Sequence, residues 1–449
     1  MIQRSRAWRL LALLFALTLI AAACGGDDDD DDGTAAGDST STTAADDEGG
    51  EDSSTSSSTE TSIAPNEGDG VLKFGTLLPE TGSLAFLGPP EIAGVNLAIQ
   101  EINDAGGVLG QDVELVEGDS GDTSTDIANQ TVDRELAEGV DAIIGAASSG
   151  VSLTVIDKIV GAGVIQFSPA NTAKELSTYE DDGLYFRTAP SDILQGQVLG
   201  EIIVEDGFSN VGLFALDDPY GTGLLEDTTA SIEASGGQVV ESIVYDPQAQ
   251  TFDSEVDDMV RANPDAVVVI GFDESARLIA TMIEKGVGPA DVQVYGVDGN
   301  MGNALGEQFT EPGALEGMKG TTPLTQLSDE FKNRLLEVDP ELVDFNYAGE
   351  SYDAVIVTAL AAVVANTDVP TDVATEINGV TKDGEKCTSF QECLDLINGG
   401  TTDIDYDGVT GPLTFTDAGE PGEASYGVLQ FGPENAIDDS LTEFRTAQL

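Results

Sequence analysis

From Val71 onward the sequence alternates short apolar runs with longer amphipathic segments, and this rhythm admits few folds. A buried strand needs only a few consecutive apolar residues, whereas a helix laid over it shows apolar positions three and four apart. Repeated in that order, the two build βα units around mainly parallel sheets. Residues 71–78 read as a first strand, 91–105 as a helix stopped by Gly106 and Gly107, 113–117 as a strand and 126–138 as a helix. Strand 142–144, helix 149–161 and strand 164–167 complete one set. A second set restarts near Asp192. It has a helix to about 206, a strand at 211–216, a helix at 221–235, a strand at 239–245, a helix at 253–262, a strand at 266–270, a helix at 274–285 and a strand at 292–296. Later helices (328–338, 350–365, 371–380) and strand-like runs (413–416, 425–431) make no domain of their own and are expected to return to the earlier sets. The expected fold is α/β: two Rossmann-like lobes with parallel-sheet cores, joined by a hinge of three crossovers. Lobe 1 takes residues 71–189 and 323–408, and lobe 2 takes 190–322 and 409–449.

The N-terminus gives a compartment. Arg4, Arg6 and Arg9 precede an apolar run over 10–20, and Ala21, Ala22 and Ala23 follow. That is the order of a secretory signal, and the run falls short of the roughly 20 residues of a membrane span. Cys24 directly after it resembles the lipobox of bacterial lipoproteins, with Ala21 where that pattern prefers leucine. The resemblance implies removal of residues 1–23, acylation of Cys24, and a lipid anchor at the outer face of the cytoplasmic membrane. Residues 25–70 are Asp, Ser, Thr, Gly and Glu with almost no large apolar side chain, so a disordered acidic spacer is expected over 24–70. The aspartates from Asp27 to Asp32 read as a solvated run.

Asp and Glu number 83 against 17 Lys and Arg, for a formal charge of −66. Nucleic acid is thereby excluded as a partner, because phosphate binding needs clustered cations. The chain has no histidine, which rules out Ser-His-Asp and Cys-His catalysis and removes the commonest zinc ligand. Besides Cys24 there are only Cys387 and Cys393, an isolated pair expected to form a disulfide outside the cytoplasm. The one tryptophan, Trp8, lies in the leader.

Open α/β sheets bind ligands at the carboxyl ends of their strands, and two lobes on a hinge can close on what they bind. Four strand ends therefore carry the candidates. Gly145-Ala146-Ala147-Ser148-Ser149 runs into a helix whose free N–H groups suit a carboxylate, with Ser149 adding a hydroxyl or serving as a helix cap. Ser168-Pro169-Ala170-Asn171-Thr172 exposes backbone carbonyls and the Thr172 hydroxyl. Asp217-Asp218-Pro219-Tyr220-Gly221 places an aromatic ring at a loop tip. Gly271-Phe272-Asp273 and Tyr295-Gly296-Val297-Asp298 supply a second ring and an acid able to pair with an ammonium.

Together with Leu78-Pro79-Glu80-Thr81-Gly82-Ser83, the run from Glu101 to Gly110, Tyr220-Gly221-Thr222-Gly223 and Gly411-Pro412-Leu413, these residues resemble the leucine/isoleucine/valine-binding family of ABC-transporter periplasmic proteins over nearly all of 71–449. The resemblance implies a type I periplasmic binding protein fold. The family's carboxylate-binding serine falls on Ser149, its threonine and backbone contact on Thr172 and Ala170, and its cleft tyrosine on Tyr220. A second cleft aromatic falls on Phe272, the amine-binding glutamate on Asp298, one methylene shorter, and a cysteine beside the serine on Ser148. The family's aromatic mouth residue falls near Phe86 or Leu87. The implied activity is capture without bond chemistry: a branched-chain or related amino acid held between lobes and passed by a monomer to membrane permease subunits. The resemblance implies no cofactor and no metal. A sensory protein of the same fold, or one binding an amide or urea, stays open. An acid-pair hydrolase finds no distinctive carboxylate spacing. Asp403-Ile404-Asp405-Tyr406-Asp407-Gly408 matches half of a calcium loop and otherwise reads as a turn entering a hinge strand.

Overall fold

The computed structural model describes residues 67–449; Cys24, the leader and most of the expected spacer lie outside them. Lobe 1 opens with β1 (Lys73–Leu77), α1 (Gly88–Asp104), β2 (Glu114–Val116), α2 (Ile127–Glu138), β3 (Ala142–Gly145), α3 (Ser149–Gly161), β4 (Ile165–Ser168) and β5 (Tyr185–Arg187). These strands form one parallel sheet in the order β2-β1-β3-β4-β5. Helices cover both faces, which is why β3 and β4 are buried at every position and read as continuous apolar runs.

Lobe 2 follows with α4 (Asp192–Glu205), β6 (Asn210–Leu216), α5 (Pro219–Ala234), β7 (Gln238–Tyr245), α6 (Asp253–Ala262), β8 (Ala266–Ile270), α7 (Ser275–Glu284), β9 (Gln293–Gly296), α8 (Asn303–Glu307) and β10 (Lys319–Pro323). The chain returns to lobe 1 for α9 (Asp329–Val338), α10 (Ala348–Ala365), α11 (Pro370–Ile377), β11 (Glu385–Cys387), α12 (Phe390–Gly399), β12 (Ile404–Gly408) and β13 (Gly411–Pro412). It ends in lobe 2 with β14 (Glu423–Gln430) and β15 (Glu443–Gln448). The second sheet runs β15-β14-β10-β9-β8-β6-β7, with β14 antiparallel to both its neighbours. Helix α10 is long and apolar enough to cross a membrane, yet it packs inside lobe 1 against α1.

Three differences from the sequence expectation have local causes. The third crossover falls later than 408/409, because β13 pairs with β12 and Leu413 and Phe415 enter the lobe 1 core. The strand expected at 413–416 is thus the short β13 plus buried chain. The Asp403–Gly408 run is neither a turn nor a calcium loop: it contains β12, paired on both edges, with Asp405 and Asp407 bound to Lys386 at 2.9 and 2.7 Å. Part of the stretch expected to be spacer is held by the domain, since Asp69 and Gly70 donate backbone N–H groups to Asp368 of lobe 1 at 2.7 and 2.6 Å. Cys387 and Cys393 are joined by a disulfide that ties β11 to the first turns of α12.

Candidate functional site

The lobes meet along the carboxyl ends of both parallel sheets. Leu84, Leu87, Ala147 and Ala170 of lobe 1 pack into the apolar core of lobe 2, so the cleft between the lobes is closed.

On the lobe 1 side, β3 delivers the chain to α3. Ser148 is the helix cap, its Oγ accepting from Val151 N at 3.4 Å. Ser149 is therefore the first helical residue, free of capping. Its Oγ instead accepts from Thr172 N at 3.3 Å and Ala173 N at 3.2 Å, fastening the turn after β4 to the start of α3. A hydroxyl that accepts twice still has its proton to donate. The N–H groups of a helix's first turn have no partner within the helix, so those of Ser149 and Gly150 point out of α3. Ala170 is buried in the same turn, where Ser168 Oγ accepts its N–H at 3.2 Å.

On the lobe 2 side, Pro219 opens α5 and Asp218 caps it, which sets Tyr220 in the first turn. Its ring stacks on Phe272 with centroids 5.4 Å apart and planes 12° off parallel. Asp298 follows β9 and is almost wholly buried. Its Oδ1 accepts from Tyr220 OH at 2.8 Å and Gln195 Nε2 at 2.9 Å, and its Oδ2 from Tyr347 OH at 2.9 Å. Tyr347 stands at the start of α10 in lobe 1, in the left-handed region at φ 60°, so this bond crosses the cleft. Burial pushes the Asp298 carboxyl above its ordinary range, and its three donors oppose that rise.

A second acid completes the centre. Asp192, the first residue of α4, is fully buried, and neither carboxylate oxygen has a hydrogen-bond donor. Its backbone N–H donates to Thr172 O at 2.7 Å, and the Thr172 hydroxyl stands close enough to the carboxylate to oppose the rise that burial causes. Burial first, and then the charge of Asp298, hold Asp192 well above the usual carboxylate range. Tyr426 OH and Gln195 Oε1 are likewise buried and unpartnered. Ser149, Thr172, Asp192 and Asp298 thus form a continuous series across the cleft.

Ser148 and Phe272 border a mouth cavity of about 340 Å³. Phe86 and Phe272 line another of about 160 Å³, while Leu87 is buried against the core of lobe 2. Sequence reasoning missed Asp192, Gln195 and Tyr347. Asp192 follows β5, a strand of three residues and too short to show a period. Tyr347 precedes a helix that is buried on every side, and nothing local marks it.

Residues 71–430 match the family described as periplasmic binding protein. The chain is 27% identical over 359 residues to the chemotactic signal transduction system substrate-binding protein BasB of Halobacterium salinarum, covering 77% of this chain and 84% of the relative. It is 28% identical over 305 residues to the Leu/Ile/Val-binding protein homolog 1 of Brucella abortus, covering 66% and 79%. Among solved structures, the branched-chain amino acid transporter substrate-binding protein LivJ of Streptococcus pneumoniae, in complex with isoleucine, superposes with a TM-score of 0.68 at 23% identity, covering 84% of this chain and all of that one.

Proposed function

We propose, for a chain that belongs to the periplasmic binding protein family and has its type I fold, that the cleft captures an α-amino acid by both of its charged ends. The protein is a ligand-binding protein, not an enzyme, and the proposal concerns what it holds. One observation carries the reading: Asp192 is buried in the closed cleft without a donor, beside an Asp298 whose three donors leave about one lone-pair direction open. Two acids with vacant acceptor positions, whose neighbouring cation Arg187 is already bound by Glu420, call for an ammonium. The α-carboxylate then lies against the Ser149 hydroxyl and the first N–H groups of α3, where the helix dipole favours negative charge. Thr172 and the Ala170 carbonyl bridge the two ends. Tyr220 and Phe272 cover the ligand, and Ser148 borders its entrance.

A branched aliphatic side chain fits the apolar rings of Phe86 and Phe272, and proteins of that specificity are among the chain's relatives. Delivery to a membrane permease, from a lipid anchor at Cys24 on the outer face of the cytoplasmic membrane, accords with the leader and with the family. The BasB relative favours a second reading, in which the closed form is presented to a receptor. Calorimetric titration of the purified domain with leucine, isoleucine, valine, simple amides and urea tests the capture. Saturable binding of an amino acid, lost when either its amine or its carboxylate is blocked, is the expected result. Binding that survives acetylation of the amine removes the role of the two aspartates.

A further inference from the structure

Behind the cleft lies a second cavity, of about 610 Å³, walled by all three crossovers. Thr188 and Pro190 come from the first, Thr325 from the second, and Thr416 and Pro421 from the third. No lysine or arginine lines it, and its acids are Glu350 and Glu423.

Glu350 lies in the first turn of α10 and is only 8% exposed. Its backbone carbonyl accepts from Thr188 Oγ1 at 2.9 Å, while its carboxylate is opposed in its burial only by its own backbone N–H. Its charged neighbours are acids. Glu91 of α1 is fully buried, has no donor on either oxygen, and feels the charge of Glu350. Asp353, one turn along α10, has its oxygens taken by Tyr406, Val409 and Thr410. Buried carboxyls are normally paired. A pair without a cation beside an open cavity describes one half of an ion pair. The prolines and leucine of the wall suit a hydrocarbon body, and no cluster of three metal-binding side chains occurs among the described residues.

We propose that this hinge cavity is a second ligand site, separate from the cleft, which takes a small organic monocation whose ammonium pairs with Glu350. Its walls belong to all three crossovers, so an occupant also bears on the angle between the lobes. Burial pushes Glu350 up to about 8, so a cation arriving at neutral pH displaces a proton.

The test uses n-propylammonium as probe and 1-propanol as its uncharged counterpart, on the folded domain with its cleft saturated by an amino acid where one binds. Propylammonium is expected to raise the melting temperature and release protons at pH 7, while propanol does neither. Glu350→Gln is expected to weaken the probe roughly tenfold or more, and Asp298→Asn to leave it unchanged. Ala424→Met, which fills the cavity from β14, repeats the loss without touching the acids and serves if Glu350→Gln misfolds. Affinity equal to the wild type's in both Glu350→Gln and Ala424→Met, loss in Asp298→Asn alone, or no binding by the wild type overturns the site. The Asp298 arm separates this outcome from a failure of the amino-acid reading.

Discussion

Asp298 is held by a tyrosine from each lobe and a glutamine from α4, an arrangement that fixes its carboxylate in the closed cleft. Asp298→Ala should weaken amino-acid binding by ~1.5–3 kcal/mol, roughly ten- to a hundredfold, with the circular dichroism spectrum unchanged. Asp192→Asn should cost a similar factor and, by removing a buried acid without a donor, raise the melting temperature of the empty domain. Both acids are held above their ordinary range, and only their ionised forms pair with an ammonium. Affinity should therefore strengthen as pH rises through the acidic range, and Asp192→Asn should flatten that rise in calorimetric titrations. The sequence made Ser149, Thr172, Tyr220 and Asp298 visible because each follows a strand with a clear apolar run. Gln195 depends on a contact within lobe 2 to a residue far along the chain, and Tyr347 on one across the cleft, which no local pattern encodes.

Helix α2 shows how an element can be legible while its energetics are not. Its apolar spacing announces the helix, but Glu135 falls on the buried face, where its carboxylate occupies space left by Gly75 and Gly118; a Cβ on either would come within 3 Å of it. Burial pushes Glu135 up to about 8, with only partial relief from Arg134. The unfolded chain loses this proton near its ordinary value of 4.5, and the folded one only near 8. Stability should fall as pH rises through that window and be fullest below it. Glu135→Gln should flatten the decline in denaturant titrations, raising stability at pH 8 by a few kcal/mol. The Cys387–Cys393 pair was readable from composition alone, whereas β11 and β12 around it are short, polar and invisible to periodicity. Replacing both cysteines with serine should cost about 2 kcal/mol of stability, the worth of so short a loop, and leave ligand affinity alone.

Across the whole molecule the two lobes were legible from the repeated βα sets, but their closure was not, because it rests on pairs far apart in sequence. Lys174 of lobe 1 reaches Glu226 and Asp227 of α5 at 2.9 and 3.1 Å, and Asp344 of lobe 1 receives Asn303 of lobe 2. The Lys174 pairs are largely solvated, worth ~0.2–1 kcal/mol each. Lys174→Ala should weaken ligand binding by no more than about thirtyfold, and high salt should erase the difference.

The anchoring of Asp69 and Gly70 on Asp368 has a mechanical reading. Asp69 and Gly70 are held by lobe 1, beside the turn into α11. A pull transmitted through these two residues falls on lobe 1. Were the upstream end fixed to a surface, lobe 1 would be the stationary half, and lobe 2, carrying Asp298 and Tyr220, the part that travels.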